Sequence, residues 1–160
     1  QEGYVFGACA GAGIYRKELF KQIGLFDEDF FIFAEDVDLN MRSQLQGFQA
    51  VYLPKSKVYH IGTATVGLYS DRYVYLCKRN DIWVFIKNYS LKMYLKYLYP
   101  IWKHQFNDIK YFTYRGQGIV LFKSKLDALK MLTPMLFRRF RIQSSRTVSD
   151  SKIDPLIIKS

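Results

Sequence analysis

The chain has 160 residues, 49% of them hydrophobic and 18% aromatic, and a formal net charge of +10. That apolar share supports a packed core and excludes an intrinsically disordered polypeptide, while the length allows one domain or part of a larger one with an appendage. Charge is divided unevenly, residues 1–70 summing to −2 and residues 71–160 to +12, so the first part reads as a site and the second as a surface for an anionic partner.

Gln1 is not preceded by an initiator methionine, no signal peptide is visible, and Tyr4-Val5-Phe6 already reads as the inside of a strand. A segment cut away upstream is therefore expected. Residues 7–13 are all small (Gly7, Ala8, Cys9, Ala10, Gly11, Ala12, Gly13), without the strand–turn–helix setting of a dinucleotide loop. They predict a strand or loop that another backbone or a ligand approaches closely. Residues 16–23 predict a short helix stopped by Gly24 in the αL conformation. Residues 26–29 read as a loop and residues 30–33 as an aromatic entry into the next element.

Residues 35–46 predict the best helix of the first half, opening on carboxylates, aligning Val37, Met41 and Leu45 on one face, and stopping at Gly47. A strand over 49–53 ending at Pro54, a second strand over 57–61 and a polar loop over 62–67 complete an α/β rhythm. Cys9 and Cys77, the two cysteines, match neither a disulfide framework nor a zinc ligand set. They read as small buried residues compatible with a reducing compartment.

From Ser70 onward the pattern turns helical, with Tyr73, Leu76, Cys77, Phe85 and Ile86 at helical spacings to about residue 89. Ser90 caps a second predicted helix whose stripe is Leu91, Tyr94, Leu95 and Leu98, before Pro100. Further helices are predicted over 101–114 and 118–132, with Thr133-Pro134 as a break. Phe137-Arg138-Arg139-Phe140-Arg141 forms a basic aromatic finish, and the Ser-rich residues 143–160 read as a disordered tail. No stretch reaches the ~20 uninterrupted apolar residues of a membrane-spanning helix.

The chemistry-bearing segment is residues 23–42. Glu35 and Asp36 stand at a helix N-terminus, where the dipole and free N–H groups favour anions. Asp38 and Arg42 are four apart and can pair. One reading is a helix start dressed with carboxylates and a surface ion pair; the other is a carboxylate facing a cleft, placed to take a proton from a hydroxyl. The residues alone leave both open.

The order of the small-residue stretch, Tyr15-Arg16, Ile23-Gly24-Leu25-Phe26-Asp27-Glu28, Phe30-Phe31, Glu35-Asp36-Val37-Asp38-Leu39, Arg42, Gly47, Pro54 and His60 resembles the C-terminal part of family 2 glycosyltransferases. The rhamnosyltransferase-like and galactofuranosyltransferase-like bacterial members are the most similar in appearance. The resemblance covers about residues 3–67, loosely extended to Arg79-Asn80. It implies the acceptor-side, C-terminal half of a GT-A domain of the α/β class over residues 1–69, followed by a mainly helical extension.

By the same resemblance Asp36 matches the base that deprotonates the acceptor hydroxyl for inverting attack on a nucleotide-sugar donor, and Glu35 orients the acceptor or that base. Gly11, Ala12 and Gly13 form a close-approach wall near the sugar. Arg42 is a candidate substrate contact, with pairing to Asp38 or Glu35 as the simpler alternative. His60 matches a histidine that in some members helps hold a divalent metal (Mg2+ or Mn2+) on the donor diphosphate, the other ligands being expected upstream. Without resemblance, His60 is a surface or hydrogen-bonded residue.

The acceptor is expected to be a saccharide or a lipid-linked sugar, in surface polysaccharide or glycolipid biosynthesis. Residues 70–142 interleave Tyr94, Tyr97, Trp102, Phe106 and Tyr111 with Lys92, Lys96, Lys103 and Lys110, a composition suited to an anionic membrane surface. A cytoplasmic protein, peripheral at the inner face of the plasma membrane, is the expectation. The alternatives are helices packed with solvated basic faces, or a noncatalytic basic module binding membrane or nucleic acid, the last without any recognisable nucleic-acid motif.

Overall fold

A computed structural model of the chain describes residues 3–62 and 64–158. Thr63, in the expected polar loop, lies outside the described residues, as do Lys159 and Ser160 of the expected tail and Gln1 at the start. The chain divides into two compact units, residues 1–62 with 141–160 and residues 63–140.

In the first unit β1 (Gly3–Val5) pairs antiparallel with β2 (Ala50–Tyr52), Gly3 opposite Tyr52, Tyr4 opposite Val51 and Val5 opposite Ala50. Between them lie α1 (Lys17–Ile23) and α2 (Glu35–Leu45). α1 ends at Gly24, whose φ of 78° is the expected left-handed value, yet its ψ of 174° is extended rather than αL, so the chain leaves the helix straight. The expected strand over 57–61 is missing, and Tyr59 and Ile61 are exposed. β propensity expresses packing on a sheet, and here no neighbouring strand is at hand.

The buried face of α2 also differs from the expected stripe. Met41 and Leu45 are buried, but Val37 is exposed, and Asp38, Leu39, Asn40, Arg42 and Gln44 are buried instead. Polar side chains fill this face because each finds a hydrogen-bond partner there, as described below. Residues beyond 143, expected to be disordered, fold back on α2. The Thr147 and Val148 amides donate to the Leu45 carbonyl at 3.0 and 3.2 Å, and Gln46 Nε2 donates to the Ser145 carbonyl at 2.7 Å. The chain end thus satisfies the Leu45 carbonyl, one of those a helix C-terminus leaves orphaned. It continues as α8 (Asp150–Ile158), which buries Ile153.

The second unit contains α3 (Asp71–Asn88), α4 (Leu91–Lys96), α5 (Leu98–Tyr114), α6 (Gly118–Lys130) and most of α7 (Leu132–Ser145). Ser70 and Ser90 cap α3 and α4, their hydroxyls accepting from the Tyr73 and Met93 amides at 3.1 and 3.0 Å. Val74, Phe112 and Leu121 form a core cluster, and Trp83 Nε1 donates to the Ala128 carbonyl at 3.1 Å, tying α3 to α6. On α4 the buried residue is Met93, while Leu91 and Leu95 of the expected stripe are exposed. Neither Pro100 nor Pro134 interrupts a helix: each sits in the first turn of α5 or α7, where the missing N–H would have had no helical partner. The chain as described is mostly helical with one small antiparallel sheet, rather than a layered α/β sheet.

Candidate active site

The small-residue segment is held along α2 by three side chains spaced four apart. Asp36 Oδ2 accepts from the Ala10 amide at 3.1 Å, Asn40 Nδ2 donates to the Ala8 carbonyl at 2.9 Å, and Gln44 Nε2 donates to the Phe6 carbonyl at 2.8 Å. The match is geometric. Four helical residues rise about 6 Å and two extended residues about 6.6 Å, so every fourth position of α2 meets every second position of the segment. Gly7 lies between two of these links, where a Cβ would fall inside the Asn40 side chain. The close approach expected of the small residues is therefore made by α2 side chains.

Asp36 is thereby oriented. Its Oδ1 also accepts from the Val37 amide at 2.8 Å, so two backbone donors fix the carboxylate and leave two of its four acceptor sites for a ligand hydroxyl. Glu35 beside it is half-buried, and its Oε2 is buried with no hydrogen-bond partner. Burial first, and then the Asp36 charge, pushes the Glu35 carboxyl up, against a backbone hydrogen bond that lowers it. An orphaned acceptor next to an oriented carboxylate is a place where a donor belongs.

The backbone leading into this pair is strained. Phe31 has φ 63° and ψ −67°, and the Ile32 amide donates to the Phe30 carbonyl at 2.8 Å, which makes Phe31 the centre of a γ-turn with positive φ. Phe33 (φ 69°) and Ala34 (φ 63°, ψ 3°) are also left-handed. Three non-glycine residues in such conformations cost on the order of 1–3 kcal/mol each and gather at functional sites. Phe30 is fully buried and anchors the segment, while Phe31 is exposed.

Tyr15, read in the sequence only as part of a motif, belongs to the site. Its ring packs against Phe20 and Phe26 at centroid distances of 5.6 and 5.9 Å and occupies the space a Cβ on Gly13 would need. Burial, then the Asp36, Cys9 and Glu35 charges, push its hydroxyl up. Nothing in the local sequence announces it; its packing on Phe20 and Phe26, from α1 and the loop after it, holds it there.

The His60 ring lies against Gly11, next to the residue whose amide holds Asp36, with a Cβ at Gly11 placed 3.2 Å from Cε1. The structure thus gathers Asp36, Glu35, His60 and Gly11 to Gly13 around the 3₁₀ turn Ala10–Ala12. Arg42, a candidate substrate contact in the sequence, is buried in the fold instead. Its Nε donates to Asp38 at 2.9 Å, and its terminal nitrogens to the Ile23 and Leu25 carbonyls at 2.6 and 2.9 Å. It pins the exit of α1 to α2. Among the described residues no group of three or more His, Cys, Asp or Glu is arranged to hold a metal ion. One imidazole against a glycine does not make a metal centre, so these residues by themselves do not fit the expected ion.

No family model and no solved structure matches the chain. Two relatives do, both N-acetylglucosaminyl-diphospho-decaprenol L-rhamnosyltransferases of Mycobacterium tuberculosis, from strains CDC 1551 / Oshkosh and ATCC 25618 / H37Rv. Each is 31% identical over 90 residues, a match covering 51% of this chain and 28% of the relative. The match thus spans little more than a quarter of those relatives' length, and it supports a glycosyltransferase relationship.

Proposed function

We propose that this chain carries the acceptor-side base of an inverting glycosyltransferase with a GT-A domain, acting between a nucleotide-sugar donor and a hydroxyl of a saccharide or lipid-linked acceptor. The observation that carries the reading is the carboxylate pair at the start of α2: Asp36 fixed by the Ala10 and Val37 amides, and Glu35 Oε2 buried without a partner. The relatives' printed name, an L-rhamnosyltransferase acting on a diphospho-decaprenol-linked sugar, supports the coarse class and a lipid-linked acceptor.

In the proposed step Asp36 takes the proton of the acceptor hydroxyl as that oxygen bonds to the anomeric carbon. The bond from that carbon to the diphosphate breaks, its electron pair leaving with the nucleotide, and the sugar centre inverts. Glu35 accepts a hydrogen bond from a second hydroxyl of the acceptor and so orients it. His60 is a single candidate ligand for a divalent metal, whose remaining ligands would come from outside these residues.

The test is Asp36→Asn in the enzyme that contains this chain, assayed for sugar transfer to a lipid-linked saccharide. Turnover should fall by about 10²–10⁴-fold. Asparagine offers one acceptor oxygen to the two amides that hold Asp36, so the substitution should cost about 1 kcal/mol for the lost hydrogen bond and leave the fold intact. Transfer at the parent rate sinks the base assignment.

A further inference from the structure

We propose that the hairpin of α5 and α6 is a docking surface for an anionic lipid bilayer, on which the second unit lies without crossing it. The proposal does not depend on glycosyl transfer or on Asp36.

On α5, Tyr99, Trp102, Phe106 and Ile109 recur at three- and four-residue spacings and are all exposed, Trp102 by 66%. On α6, Ile119, Phe122, Leu126 and Leu129 repeat the spacing, Ile119 being 84% exposed. These are not the core faces of the two helices, which are marked by buried Asp108 and Phe112 on α5 and by Leu121, Ser124 and Ala128 on α6. At 100° per residue, each helix shows the same order around its axis: buried face, apolar stripe, then lysines, Lys103 and Lys110 on α5 and Lys123 and Lys130 on α6.

Only residues 115–117 separate the helices, and Gln105 pairs with Lys125 at similar distances from that turn, which makes the hairpin antiparallel. The buried faces share one core with α3, where Phe112 and Leu121 pack with Val74, so in this antiparallel pair the same rotational order turns both stripes to the same side. On each helix the lysines border the apolar stripe on the side away from the buried face, and Lys110 Nζ lies 4.5 Å from the centre of the Phe106 ring.

Charge selects the occupant. Residues 63–140 contain 14 Lys/Arg and 4 Asp/Glu, a net +10 that equals the whole chain's formal charge. Protein–protein interfaces are depleted of lysine, whereas interfacial helices combine Trp, Phe and Leu with flanking Lys that extends to phosphate headgroups. No helix among the described residues is long and apolar enough to cross a membrane, so the fitting mode is burial of the strip at the headgroup boundary.

The chain's two tryptophans supply the test, since Trp83 is 3% exposed and Trp102 is the exposed one. The full chain is mixed with vesicles of phosphatidylcholine alone, or of equimolar phosphatidylcholine and phosphatidylglycerol, over a salt series. Binding should be confined to the anionic vesicles, weaken as salt rises, and shift Trp102 emission to the blue while shielding it from iodide. Phe106→Ser with Phe122→Ser should weaken binding by about tenfold or more. Lys103→Gln and Lys123→Gln should each weaken it about fivefold. Unchanged Trp83 shielding and far-ultraviolet dichroism establish that the variants stay folded. The proposal is overturned by equal affinity for both vesicle types or by undiminished binding of the Phe variants. It is equally overturned by a blue shift that follows protein concentration without lipid (a second copy covering the strip), by binding to an oligonucleotide but not to vesicles, or by binding to neither.

Discussion

The alignment of residues 6–10 along α2 depends on Gly7 having no side chain, and a double-mutant cycle with Asn40 measures that dependence. Gly7 is not among the residues with positive φ, so alanine suits its backbone and would by itself stabilise by about 0.4–1 kcal/mol through the unfolded chain. The Cβ, however, would occupy the Asn40 side chain, which is held between its helix and the Ala8 carbonyl at 2.9 Å. Overpacking of this kind costs about 1–3 kcal/mol, so Gly7→Ala should destabilise by about 1–2 kcal/mol net. Asn40→Ala loses one neutral hydrogen bond to a half-buried carbonyl, about 1 kcal/mol. In the double variant the colliding atoms are gone, so the cost should fall short of the sum by about 1 kcal/mol or more. Urea denaturation with linear extrapolation gives all three values. Additivity within about 0.3–0.5 kcal/mol would show that Gly7 and Asn40 do not meet, and the seating of Asp36 by the Ala10 amide would lose its foundation.

Ala34→Gly removes the left-handed strain at the start of α2 (φ 63°) and should stabilise the chain by about 0.5–1 kcal/mol, whereas Ala34→Val should destabilise it; thermal midpoints distinguish the two directions. Ile153→Ala empties a fully buried position on α8 and should cost about 3 kcal/mol, and the Thr147 and Val148 amides should then exchange hydrogen faster. Asp81 is pushed up chiefly by burial, against the attraction of Lys78 and His104, so the fold favours its protonated form. Its contribution is fully present below the ordinary value of 3.8 and is lost as pH rises through the raised one. Asp81→Asn should flatten the decline in urea midpoint over that window, and an unchanged profile would refute the assignment.

The helix starts and stops were legible in sequence because they depend on local chemistry. Ser70 and Ser90 cap α3 and α4, Gly24 and Gly47 take positive φ after α1 and α2, and the Glu35-Asp36 pair opens a helix. Pro100 and Pro134 signalled helix breaks that fall three residues earlier, at Tyr97 and Met131, because a first-turn proline and a terminating proline look alike until the helix register is known. The strand over 57–61 and the disordered tail were misread for a related reason: a strand needs a neighbour, and a Ser-rich segment can be ordered by carbonyls it meets far along the chain, as residues 145–148 are by α2.

For the candidate site the division is similar. Sequence alone determined the carboxylate pair, the small-residue stretch and a basic, aromatic helical half, since composition and spacing are local properties. Only tertiary structure decided that Asp36, Asn40 and Gln44 line up on residues 10, 8 and 6, that Tyr15 stands beside the carboxylates, and that Arg42 is taken up by the exit of α1. It also decided which face of α5 and α6 stays outside. Each of these rests on a coincidence of distance between separate segments, and periodicity within one segment carries no record of what lies opposite it.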